Sequence, residues 1–211
     1  MVTTQAQASS PRVVVFDVGA VLLEWDPRHL YRKIFAGDDA RMEHFLAEVC
    51  TQAWNLEQDR GRSWGEAIAE RTALYPDWEA EIAAFDARWS EMVPHAIEGT
   101  VALLAALRSA GVPTYAITNF SAEKFILARE RFPFLGGFDG IVVSGEVLLV
   151  KPDPAIFTLF LEQNGLTAAE CLFVDDNEAN IATARQLGFT AHQFSAPEHF
   201  ADALKASGFP V

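Results

Sequence analysis

Asp17, Thr118, Asn119, Ser144, Asp175 and Asp176 stand at or just past the ends of short apolar runs, and Lys151 follows one of them closely. Runs such as Val13 to Phe16, without polar alternation, read as strands buried on both faces, as inside a parallel sheet. The carboxyl ends of such strands share one edge, where open α/β sheets hold their ligands. Carboxylates gathered there repel one another unless a cation lies between them. Oxygen donors without a nearby Cys or His cluster favour a hard ion, Mg²⁺ over Zn²⁺. Lys151 and the Thr118 hydroxyl then add positive charge and a hydrogen-bond donor opposite the metal. A tetrahedral dianion, phosphate, is the natural ligand of such a set.

Local structure accounts for part of this pattern. Thr118-Asn119 suits a turn, and Asn177 suits a helix cap. In Lys151-Pro152-Asp153-Pro154, Asp153 makes an N-cap with Pro154 at the first helical position. None of this explains the lysine, nor the arrival of every polar group at one edge.

The elements that carry these residues alternate regularly. Strands are expected at residues 112–118, 138–144, 171–175 and 189–194, after the first at 13–16. Helices are expected at 100–110, 121–131, 153–164, 177–187 and 197–207, with Gly111, Gly165 and Gly188 at left-handed positions after three of them. The fold class is α/β, a Rossmann-like parallel sheet with helices on both faces. Between the first strand and this alternation, residues 27–92 show apolar positions at three- and four-residue spacing and no strand. Ser63 with Glu66 fits a capping box there. All five tryptophans fall in or beside this all-helical block, most as core and one or two facing a ligand. The expected organisation is a disordered tail at 1–11, an α/β core at 12–26 and 93–211, and the helical insertion at 27–92.

Composition narrows the classes. The 211 residues are 50% hydrophobic and 21% charged, as in a soluble globular protein. No stretch approaches the length of apolar chain that crosses a bilayer. A formal charge of −13, with no basic cluster, argues against nucleic-acid and anionic-membrane partners. The two cysteines, Cys50 and Cys171, suggest reduced thiols and a cytoplasmic protein. The pattern carries no signal for oligomeric state.

The motifs FDVGAVL, ITN, KPDPAIF and VDDNEAN, in that order, resemble those of the haloacid dehalogenase-like hydrolase superfamily from about Arg12 to the C-terminus. In particular the chain is similar to members with a glycine-containing first motif, a group that includes sugar-phosphate phosphatases, and to the N-terminal domain of soluble epoxide hydrolases. The resemblance implies that the helical insertion is a cap domain. It implies Asp17 as nucleophile and Mg²⁺ ligand, with Asp176 as the main metal anchor and Asp175 binding it directly or through water. It also implies Thr118 and the Asn119 amide as holders of phosphoryl oxygens, Lys151 as the neutralising cation, and Asn180 assisting at the rim of the site.

One position departs from the pattern: Gly19 stands where most phosphatases of the superfamily carry a second Asp. Its carbonyl can still ligate the metal, but the general acid is missing. The implied function is a Mg²⁺-dependent phosphomonoesterase acting through an aspartyl phosphate on a small phosphorylated metabolite, such as a sugar phosphate. Two alternatives stand beside it. A 2-haloacid dehalogenase, in which the Asp attacks carbon, needs no metal, and Asp175-Asp176 speak against it. A weakly active binding or regulatory module would make Gly19 a mark of decayed catalysis.

Overall fold

Strand β1 (Val13–Phe16) has four residues and all are fully buried, which is why its sequence shows no polar alternation. In a computed structural model that describes residues 10–211, β1 is the central strand of a five-stranded sheet of order β3-β2-β1-β4-β5. Residues 1–9 of the expected disordered tail lie outside the described residues. The neighbours are β2 (Thr114–Thr118) and β4 (Cys171–Asp175), flanked by β3 (Gly140–Val143) and β5 (Thr190–Gln193), and every pairing is parallel.

Alternation along β1 splits the core in two. Val14 and Phe16 pack with Leu104 and Leu107 of α6 (Glu98–Ser109) and with Phe200 and Leu204 of α11 (Pro197–Ala206). Val13 and Val15 pack on the other face with Phe157 and Phe160 of α9 (Pro154–Asn164) and Ile181 of α10 (Glu178–Gln186). The period of two in a strand sends neighbours to opposite faces, so one apolar run feeds both cores. Each such side chain contributes on the order of 2 kcal/mol when fully buried.

Two expectations change at the strand ends. The third strand stops at Val143, because Ser144 opens a one-turn helix, α8 (Ser144–Val147), instead of ending the strand. The second strand begins at Thr114, after Pro113, which has no N–H to give a ladder.

Between β1 and α6 the chain is helical, as expected: α1 (Arg28–Ile34), α2 (Asp39–His44), α3 (Gln52–Asp59), α4 (Trp64–Leu74) and α5 (Glu79–Ala87). Its aromatic centre packs Trp64 against Phe85 at 5.6 Å, with Trp54 edge-on to both. Such pairs add about 0.5–1.5 kcal/mol each beyond their buried area. This centre is continuous with the α6 and α11 side of the sheet, so the insertion has no separate core. Ser63 caps α4 by accepting from the Glu66 N–H at 3.3 Å, and its hydroxyl donates to Glu66 Oε2 at 2.7 Å rather than leaving that carboxylate to close a capping box on the backbone.

Gly61 makes the turn between α3 and α4 at φ +108°, where a Cβ would run into Leu148 Cδ2. Leu148 is exposed and can swing aside, but the backbone cannot change hand. Gly61→Ala is expected to cost about 1–2 kcal/mol in urea unfolding. Gly65→Ala, within α4 and with open space at its Cβ, is expected to be neutral or stabilising.

Candidate active site

The turn after β1 begins with Asp17, whose N–H donates to Val174 O of the neighbouring strand at 2.9 Å. That bond continues the sheet and leaves the side chain at its carboxyl edge. Asp17 is 8% exposed, and its Oδ1 accepts from the Val18 N–H at 2.6 Å. Lys151 Nζ reaches the same oxygen at 2.9 Å and Asp175 Oδ2 at 2.6 Å. A buried ammonium between two carboxylates is thus the electrostatic centre of the site. Burial alone would lower the Lys151 pKa, but Asp17 and Asp175 raise it, so the lysine stays charged.

Two side chains hold this lysine in place. Asn119 clamps its backbone, donating from Nδ2 to Lys151 O at 2.9 Å and accepting from Lys151 N at 2.8 Å. Asp175 is fully buried and accepts four bonds, from Lys151 Nζ, the Asn177 N–H and twice from Asn180 Nδ2. Its oxygens are therefore committed to protein donors. Asn180, expected to assist at the rim of the site, stands in the wall of the site's cavity. It is 5% exposed and its amide nitrogen is spent on Asp175, so it positions that carboxylate.

Asp176, by contrast, is exposed. Thr118 is fully buried, and its hydroxyl finds no partner in the protein. Gly19 lines the site with nothing within 4 Å of where a Cβ would stand. Glu24 and Asp26, the next acids along the chain, are engaged elsewhere. Glu24 sits between His29 at 2.7 Å and His95 at 3.1 Å, and Asp26 accepts from Arg28.

The residues suit a divalent cation. Carboxylate oxygens of Asp17, Asp175 and Asp176 lie within 4.8 Å of one another. Burial pushes the Asp17 carboxyl up to about 8 against the pull of Lys151, with Asp175 and Asp176 pushing the same way as burial. Asp176, although exposed as a residue, is raised as well, by partial withdrawal of its carboxyl from water at the edge of the site and by Asp175. One lysine is too little positive charge for three acids, and a hard cation on the all-oxygen donor set would correct that.

A cavity of about 600 Å³ opens from these residues toward the helical insertion. Asp17, Gly19, Asn119, Lys151, Asp176 and Asn180 line it, while Thr118 and Asp175 stand behind the wall. The remaining walls are unlike a phosphate pocket: Leu23, Trp25, Leu56, Trp64, Trp89 and Phe120, with Gln52, Asn55 and Asp59 among them. Three of the five tryptophans thus face the cavity, more than the sequence led one to expect. Sequence reading also passed over Asp59 and Ser121. Asp59 ends a helical run with no motif around it, and Ser121 reads simply as the cap of α7 (Ala122–Arg131). Ser121 Oγ in fact also accepts from Trp64 Nε1 at 2.9 Å, joining insertion to core.

A family model for haloacid dehalogenase-like hydrolases matches residues 11–188. The chain belongs to that family. Within the haloacid dehalogenase-like hydrolases it is 27% identical over 179 residues to a sesquiterpene phosphatase of Aspergillus oryzae, covering 84% of this chain and 86% of that protein. It is 31% identical over 162 residues to a phosphoglycolate phosphatase of Yersinia pseudotuberculosis, covering 69% of this chain and 66% of that one. It also matches acyl-CoA dehydrogenase family member 10 of the mouse at 29% identity over 99% of this chain, which spans only 20% of the mouse protein. Among solved structures, a family enzyme of Bacteroides thetaiotaomicron superposes with a TM-score of 0.73 at 21% identity, over 93% of this chain and 99% of that one. That enzyme has also been solved in complex with magnesium and inorganic phosphate, at a TM-score of 0.69 over 88% of this chain and 95% of that one. The family assignment makes the chain a hydrolase, and the α/β core with its helical cap is the family's fold. Among the described residues no helix is long and apolar enough to cross a membrane.

Proposed function

We propose that this hydrolase is a Mg²⁺-dependent phosphomonoesterase that works through an aspartyl phosphate on Asp17. The observation that carries this reading is the Asp17–Lys151–Asp175 arrangement beside an exposed Asp176 and the unpartnered hydroxyl of Thr118. With Oδ1 of Asp17 held by the Val18 N–H and Lys151, Oδ2 is the oxygen left to attack phosphorus. Lys151 and Thr118 offer charge and a donor to the phosphoryl oxygens as negative charge gathers there. Asp17, Asp176 and the Gly19 carbonyl would hold the ion, and Asp175 would contribute by fixing Lys151. Bound Mg²⁺ would supply charge stabilisation for the phosphoryl group.

The substrate is a small phosphorylated metabolite. Gln52 and Asn55 could serve the hydroxyls of a sugar phosphate, but the tryptophans and leucines around them favour an organic part with substantial apolar surface. A relative that is a sesquiterpene phosphatase accords with that preference. A panel of aryl, sugar and isoprenoid phosphates, assayed with Mg²⁺ and with chelator, tests both points. Full turnover of the phosphates after chelation would remove the Mg²⁺ requirement. No turnover of any phosphate, together with halide release from a 2-haloacid, would remove the phosphatase reading in favour of carbon-centred dehalogenation.

Metal binding has its own readout. Mg²⁺ at about 100 times its dissociation constant is expected to stabilise the protein by about 2.7 kcal/mol, seen as a rise in Tm. Asp176→Asn should abolish most of that rise. A shift as large as in the parent would place the ion elsewhere.

A further inference from the structure

Cleavage of an unactivated phosphate ester leaves an alkoxide unless a proton reaches the departing oxygen, and a positioned acid is commonly worth about 10²–10⁴ in rate. Gly19 has no side chain to provide one, and Glu24 and Asp26 are paired outside the cavity. Among the described residues that line the cavity, the carboxyls are Asp17, Asp176 and Asp59. The first two belong to the nucleophile and the metal. Asp59 has no such duty.

Its placement is built. Asp59 is the last residue of α3, at the helix end where the dipole disfavours a carboxylate. Asn55 Nδ2 donates to its Oδ2 at 3.2 Å. Its carbonyl accepts from Ser144 Oγ at 2.5 Å, and that hydroxyl in turn accepts from the Phe120 N–H at 2.9 Å. The end of α3 is thereby tied to the turn after β2, which carries Asn119. Charged groups on the surrounding elements have other partners. Lys124 pairs with Asp86, Arg60 with Glu57 and Arg62 with Glu70, while Glu123 accepts from the Trp64 N–H and Glu146 is exposed. Burial pushes the Asp59 carboxyl up to about 7, with the Ser121 N–H pulling the other way, so much of it keeps its proton near neutrality.

We propose that Asp59, from the helical insertion, is the general acid for the leaving group. The assignment rests on the phosphatase reading above. In the first step an oxygen of Asp17 bonds to phosphorus, the ester P–O bond breaks, and the Asp59 proton passes to the departing oxygen to give a neutral alcohol. In the second, water bonds to phosphorus and displaces Asp17. One of its protons returns to Asp59, and hydrogen phosphate leaves. The insertion would then complete the catalytic set as well as select substrate.

The test is single-turnover release of alcohol in Mg²⁺ from an aryl and from a primary alkyl phosphate, for the parent and Asp59→Asn. An aryl oxide leaves without protonation, so its release is expected to change less than about threefold, while alkyl release falls by about 10²–10⁴-fold. The sign with pH follows: the acid must be protonated, so parent alkyl release should decline as pH rises through about 7. That decline should vanish in the variant. Retained aryl release also reports that the variant is folded. Equal losses for both esters, or an unchanged alkyl rate and pH profile, would overturn the role of Asp59 while leaving the phosphatase reading intact. A parent protein inert toward both esters would overturn that reading and this assignment with it.

Discussion

Asp17→Asn is expected to lower aryl phosphate hydrolysis by on the order of 10⁴-fold or more, with the fold intact. The amide keeps the shape of the side chain but cannot attack phosphorus, and it removes one negative charge from the metal set. Little stability should be lost. Lys151 retains Asp175 at 2.6 Å, and burial already opposes charge on the Asp17 carboxyl. Urea unfolding should therefore differ from the parent by less than about 1 kcal/mol. Residual turnover near the parent level would mean that another group attacks, and the aspartyl-phosphate route would fall.

Lys151→Met should behave in the opposite way, losing stability as well as activity. Lys151 is 2% exposed and pairs with Asp17 and Asp175, of which Asp175 is fully buried. Removing one partner of a buried ion pair leaves charge without compensation and commonly costs about 3–5 kcal/mol. Methionine fills much of the same volume, so the deficit reports charge more than a cavity. Asn119 clamps only the backbone at this position, and that clamp survives the substitution. Mg²⁺ should recover part of the loss, since on the proposed site it would bring positive charge to Asp17, which the lysine also contacts. An unfolding midpoint like that of the parent, without Mg²⁺, would mean that the acids are neutral in the folded protein and that the lysine is not their counter-ion. Together the two substitutions would separate the proposed nucleophile, expected to matter for chemistry alone, from the proposed cation, expected to matter for chemistry and folding.

Local pattern in the sequence determined a good deal of this protein. Val13 to Phe16 announces a strand buried on both faces, and the alternation of strands and helices after it announces a parallel sheet, while the central place of β1 in that sheet is seen only in the folded structure. Helix caps such as Asp153 and Asn177 were legible because a cap and the amides it serves lie within a few residues of each other. The acids at the strand ends were legible for a similar reason, since a parallel sheet sends all such ends to one edge. Which oxygen meets which donor was a matter for the tertiary structure. Asp175 and Asp176 are adjacent and chemically alike, yet packing buries one against Lys151 and Asn180 and leaves the other exposed. The Asn119 clamp spans 32 residues and the Ser144 tether to Asp59 spans 85, separations that no local period encodes. Asp59 itself is one acid among many on exposed helices until α3 docks against the turn after β2. Docking withdraws its carboxyl from bulk water and turns it toward a proton donor's pKa, and burial of that kind exists only once the chain has folded.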